Sequence, residues 1–191
     1  MLPTDYHVHD FSAGNDPIPE GSWSVGKYDE IRPAIYDAEM FEDTTKSVDG
    51  FSGVRDVHVG LDVGGPVGTP VLAWSPGTVI HSGYNPSEGD YGHVVVTEHD
   101  VGGKKVYSLY GHLDRATLDL SPVGRAFQAG AALGAIGGRE ENGNWPPHLH
   151  FQLSMARPET HDLPGVVSRA DRAAALELYP DPRLVTGPLY K

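Results

Sequence analysis

The chain has 191 residues, enough for one domain with a substantial core and too few for two comfortable ones. Apolar content of 39% and charged content of 21% fit a folded globular protein and exclude a disordered one. A net charge of −12 disfavours nucleic acid, an anionic membrane surface or an anionic wall as partners held by bulk electrostatics, and the absence of cysteine excludes disulfides and thiolate metal sites.

Any metal must therefore be held by histidine and carboxylate. No run approaches the roughly 18 apolar residues of a membrane span. The opening "MLPTDYHVHDF" has neither a basic nor an apolar leader region, so the expectation is a cytoplasmic protein, or a secreted or periplasmic one if a leader has been removed.

Residues 1–54 are irregular and read as an N-terminal extension that is a possible groove cover. They hold a His-x-His, His7 and His9, in "YHVHDF". This pair is read as not binding metal, because no separate carboxylate-bearing motif accompanies it at a matched spacing and chain ends are usually mobile. Asp5 and Asp10 would make it at most a weak adventitious site. "DEIRPAIYDAEMF" is expected to hold a short helix or strand, limited by Pro33.

From 55 to 155, glycine and proline punctuate short runs rich in Val, Ile, Tyr and Phe. "VLAW", "GTVIHS", "HVVVTEH", "KKVYSLYGHL" and "HLHFQL" read as strands of a mostly antiparallel β core, with "GGKK" at 102–105 as a hairpin turn. In the final stretch, 156–191, "SRADRAAALELY" predicts one helix of about 10 residues with Ser168 as N-cap and Pro180 beyond its end.

Three places in this core carry candidate chemistry. "RDVHVGLDV" offers His58 and Asp62. Four residues of straight strand span about 13 Å, too far for one ion, so the pair serves a common site only if the chain bends at Gly60. A plain strand end with two solvated side chains fits the spacing equally well. "VYSLYGHLDR" would point Ser108, Tyr110 and His112 to one side of a regular strand. In "PPHLHFQL", His148 and His150 share one strand face and Leu149 and Phe151 the other, with Pro146 and Pro147 fixing the entry. Together these give one carboxylate and four histidines, a donor set suited to Zn²⁺.

The succession "HVGLD", "GTPVLAWSPGTV", "YGHVVVTEH", "YSLYGHL", "HLHFQL" resembles the lysostaphin-like (LytM-type) zinc endopeptidases of peptidase family M23 across about residues 55–155. The resemblance implies a duplicated hybrid motif, a β core with an open groove. It further implies that His58, Asp62 and His150 bind Zn²⁺, and that His112 and His148 are the catalytic, non-ligand histidines. The implied activity is hydrolysis of peptide bonds in Gly-containing or peptidoglycan-type peptides, with a non-catalytic zinc-binding module of the same fold as the alternative.

Members often carry Glu where this chain has Gln152, and Gly before the histidine pair where it has two prolines. Neither difference is expected to touch the metal ligands. The flanks "VGKYDEIRPAIY" and "DLPGVVSRADRAAALELYPDPRLV" resemble the peptidase module of chains that also carry kinase-like and aminotransferase segments. His81, His93, His99 and His161 are read as structural.

Overall fold

In chain order the strands of the computed structural model, which describes residues 3–36, 38–45 and 47–191, are β1 (His7–Val8), β2 (Ser24–Gly26), β3 (Glu30–Ile31), β4 (Val57–His58), β5 (Leu61–Gly64), β6 (Pro70–Leu72), β7 (Gly77–Asn85), β8 (Gly92–Val101), β9 (Lys104–Leu113), β10 (Ala126–Phe127), β11 (Ala132–Ala135), β12 (His148–Ser154) and β13 (Val166–Val167). Short helices α1 (Glu39–Glu42), α2 (Ala116–Leu120), α3 (Arg172–Leu178) and α4 (Arg183–Thr186) lie between or after them.

An eight-stranded sheet runs β1-β2-β5-β12-β9-β8-β7-β10, antiparallel except where β1 meets β2. A β11-β6 ribbon and a three-stranded sheet, β13-β4-β3, accompany it. The mostly β, antiparallel architecture agrees with the sequence reading. β8 and β9 are joined through Gly102 and Gly103 at φ 61° and 82°, the left-handed pair that a two-residue hairpin turn requires.

Period-two alternation divides the apolar side chains between the faces of the large sheet. On β8, Val95 joins a cluster with Val79, Tyr110, Leu133, Phe151 and Leu153. Its neighbours Val94 and Val96 join another with Val57, Val59, Leu109, Leu163 and Tyr179. Phe151 and Leu153 of β12 therefore face the first cluster, which leaves His148, His150 and Gln152 on the side of the three-stranded sheet. Each fully buried aliphatic or aromatic side chain contributes about 1.5–3 kcal/mol, so this alternation sets the register of the central strands.

The C-terminal helix forms as α3 and is shorter than expected, seven residues starting at Arg172. Ser168 does not cap it directly. Its hydroxyl and carbonyl instead receive the Asp171 N–H at 3.2 and 3.1 Å, closing a turn ahead of the helix. A further single turn, α4, follows. Two strands ahead of the core join its sheets: β2 pairs with β5 and β3 with β4.

Candidate functional site

The chain leaves the three-stranded sheet after His58 and enters the large sheet at Leu61. Val59 and Gly60 make that change of sheet, and it is the bend that allows His58 and Asp62 to meet. Gly60 is needed there for room, since a Cβ on it would lie 2.2 Å from Cε1 and 2.3 Å from Nε2 of the His150 imidazole. β12 lies beside β5 with His150 directly opposite Asp62. The three residues thus converge where the two sheets join.

Their facing atoms form a nearly equilateral triangle. His58 Nε2 lies 3.1 Å from Asp62 Oδ1 and 3.1 Å from His150 Nδ1, and His150 Nδ1 lies 3.2 Å from Asp62 Oδ1. Tetrahedral ligands at about 2.0–2.1 Å from a zinc ion stand about 3.3 Å apart, so the triangle fits. The outer ring nitrogens are already engaged. His58 Nδ1 donates to the Lys27 carbonyl at 2.8 Å, which turns Nε2 inward. Gln152 Nε2 donates to the Pro164 carbonyl at 3.3 Å, which leaves Gln152 Oε1 to accept from His150 Nε2 at 3.0 Å. A proton can satisfy one edge of such a triangle; a divalent cation satisfies all three corners.

Gln152 therefore does touch a proposed ligand, contrary to the sequence expectation. The reason is strand period: residue i+2 shares the face of His150. Arg32 is a residue the sequence reading missed. It is 3% exposed and donates from Nη1 to Asp62 Oδ2 at 2.8 Å, from Nε to Glu30 at 2.9 Å and from Nη2 to the Lys27 carbonyl at 3.1 Å. Asp62 is so oriented that Oδ2 meets Arg32 and Oδ1 meets the histidines. Burial opposes ionisation of Asp62, but His58, Arg32 and the hydrogen bonds prevail and hold its carboxyl well below the usual range. Burial, then the Arg32 charge, push the His58 imidazole down to about 4.

His112 and His148 stand alongside, ring centroids 4.2 Å apart. His112 donates from Nδ1 to the Asn142 carbonyl at 2.8 Å, and His148 from Nδ1 to the Pro146 carbonyl at 2.7 Å. His148 Nε2 is 3.8 Å from Asp62 Oδ1. Burial first, and then the neighbouring histidine in His112, lower both imidazoles, His112 well below its ordinary value.

The expectation that Ser108, Tyr110 and His112 face one way does not hold. Three steps of β9 oppose two of β8 between the Val95–Tyr110 and His93–Leu113 pairs, and His112 sits at φ 61°. This bulge sends Tyr110 to the Phe151 cluster and His112 to the histidine face. A left-handed non-glycine residue costs about 1–2 kcal/mol.

All five of these side chains line one cleft of about 560 Å³, walled in part by Ile18, Tyr36 and Trp145. Of the remaining histidines, His81 contacts the Pro158 carbonyl at 3.0 Å and His93 stacks on Tyr84. His99 lies between Thr97 and the Pro76 carbonyl, against Trp74. His7 and His9 are not isolated: the loop that follows β1 brings Asp16 to them, so that a second His–His–Asp group forms.

The family model described as Peptidase family M23 matches residues 56–161. The peptidoglycan DD-endopeptidase ShyC of Vibrio cholerae is 31% identical over 126 residues, covering 64% of this chain and 27% of that protein. The DD-carboxypeptidase/endopeptidase Mpg of Neisseria meningitidis is 30% identical over 123 residues, covering 62% of this chain and 26% of that protein. The chain thus spans about a quarter of the length of these curated relatives.

Among solved structures, LytU matches at a TM-score of 0.45 and 27% identity over 70% of this chain and 73% of its own. The catalytic domain of lysostaphin from Staphylococcus simulans matches at 0.46 and 23% over 73% of this chain and 82% of its own. With more than half of its residues matched by the family model, this chain belongs to peptidase family M23.

Proposed function

We propose that the protein is a zinc-dependent endopeptidase that hydrolyses peptide bonds in peptidoglycan-type or Gly-containing peptides. The observation that carries this reading is the 3.1–3.2 Å triangle of His58, Asp62 and His150 in the cleft. The peptidoglycan-type substrate is supported by the similarity to the peptidoglycan DD-endopeptidase ShyC and the DD-carboxypeptidase/endopeptidase Mpg.

His58 Nε2, Asp62 Oδ1 and His150 Nδ1 would hold the ion. When bound there, zinc supplies a Lewis acid that polarises a carbonyl and makes water acidic near neutral pH. With three protein ligands, a fourth position is left to solvent or substrate. The Lys27 carbonyl and Gln152 fix the two ligand rings, and Arg32 fixes the carboxylate.

His112 and His148 carry the proton. Each is anchored through Nδ1 to a backbone carbonyl, so Nε2 is the basic nitrogen. Burial keeps both neutral at neutral pH, ready to accept a proton from the attacking water. Their proximity disfavours a second charge, so the pair holds one proton until the departing amine receives it. The protonated partner also donates to the oxyanion that develops on the substrate carbonyl.

The test pairs zinc content by elemental analysis with cleavage of oligoglycine and cross-bridge peptides, with and without a chelator. His150→Ala is expected to lose the tight equivalent of zinc and all hydrolysis. His112→Ala is expected to keep that zinc and lose about 10²–10⁴ in rate. Full retention of the tight zinc by the His150 variant would overturn the ligand assignment, and chelator-insensitive cleavage would overturn the mechanism.

A further inference from the structure

We propose that His7, His9 and Asp16 form a second divalent-cation site, separate from the His58 cluster and sharing no residue with it. β1 lies parallel to β2, with the His7 and His9 N–H groups donating to the Trp23 and Val25 carbonyls at 3.0 and 2.9 Å. Both imidazoles consequently project to one side, ring centroids 4.8 Å apart. The loop then folds back, and the Asp10 N–H donates to Asp16 Oδ2 at 3.1 Å, which holds the carboxylate beneath them.

His7 Nε2 lies 2.7 Å and His9 Nδ1 3.3 Å from Asp16 Oδ2, and one donor atom from each of the three falls within 4.8 Å of the others. His9 is the informative member. It is 9% exposed and stacks on Phe11 at 4.6 Å, and its buried Nδ1 has Asp16 Oδ2 as a polar neighbour at 3.3 Å without a well-formed hydrogen bond. A buried polar atom so poorly satisfied is costly, and a cation between His9 and Asp16 removes that cost. Two imidazoles and one carboxylate select a late first-row ion such as Zn²⁺ over Ca²⁺ or Mg²⁺. His7 is exposed, so the remaining coordination positions belong to water. Bound there, the ion would staple the 10–16 loop to β1 at the rim of the cleft, which His9 and Asp16 also line.

The experiment is a titration of the metal-free chain with Zn²⁺ alone, followed by calorimetry. The assignment rests on the comparison of wild type with the His7→Gln/Asp16→Asn double variant. Loss of one equivalent, the weaker class, supports the site; an unchanged number of equivalents overturns it. This comparison does not depend on the His58 cluster, which is read separately from His150→Ala. If the double variant loses all binding, His7→Gln alone decides, since its ring is exposed: retention of the weaker class overturns the site and its selective loss supports it. Slower amide exchange over residues 7–16 on adding the second equivalent is the independent readout, and unaltered exchange there counts against the staple.

Discussion

Asp62 accepts from Arg32 on one oxygen and faces two imidazoles with the other, so its orientation is set from both sides. Arg32 in turn is buried between Asp62 and Glu30. Removing one member of a buried ion pair strands the rest, a loss of about 3–5 kcal/mol. Arg32→Met is therefore expected to lower unfolding stability by that amount in denaturant titration. Arg32→Lys should recover only part of it, because a single ammonium cannot reproduce the forked contacts; full recovery would mean that charge alone matters. At Gln152 the expectation concerns metal. Gln152→Leu deprives His150 Nε2 of its acceptor and should weaken zinc binding about 10–100-fold in competition with a chelator. An unaltered affinity would rule out this orienting role. The residue after Phe151 was visible in the sequence as a departure from the family, and strand period places it on the face of His150, whereas nothing in the spacing of Arg32 pointed to Asp62.

Two irregular points in otherwise regular strands assemble the cleft. The Val59–Gly60 step carries the chain from one sheet to the other, and the bulge at His112 turns a side chain that alternation assigns to the opposite face. A methyl group at Gly60 would overlap the His150 ring. Gly60→Ala is accordingly expected to cost about 1–3 kcal/mol and to abolish tight zinc binding, read by thermal melting and metal titration together; normal zinc affinity would show that the ring has room to move. The need for a bend at Gly60 was legible, because glycine between His58 and Asp62 is the one economical way to bring them together. The bulge was not, since His112 carries no local mark of a left-handed conformation. The hairpin at Gly102–Gly103 was legible for the converse reason, two glycines being the residues that such a turn demands.

Across the whole molecule the acidic excess acts unevenly. Burial, together with Asp90 and Asp49, raises the Asp162 carboxyl to about 6. Folding therefore favours its protonated form. Below pH of about 4 both folded and unfolded chains hold the proton and nothing is lost. From about pH 4 upward the unfolded chain gives up the proton while the folded one keeps it, so stability falls by up to about 3 kcal/mol until the folded group ionises at about 6. Asp162→Asn should raise the melting temperature at pH 7.5 and leave it nearly unchanged at pH 4; equal gains at both values would exclude titration as the cause. No helix among the described residues is long and apolar enough to cross a membrane.

Composition and strand pattern by themselves determined a mostly β chain, the positions of its central strands, a metal chemistry without thiolates and the residues that resemble a family motif. These properties are local or compositional, so each is written in a few adjacent residues. Tertiary structure alone decided that Arg32 meets Asp62, that Gln152 orients His150, that His112 turns inward and that Asp16 completes the His7–His9 pair. All but the second depend on loops and bulges whose course is set by packing between distant segments. Side-chain period is silent once the chain leaves a regular strand.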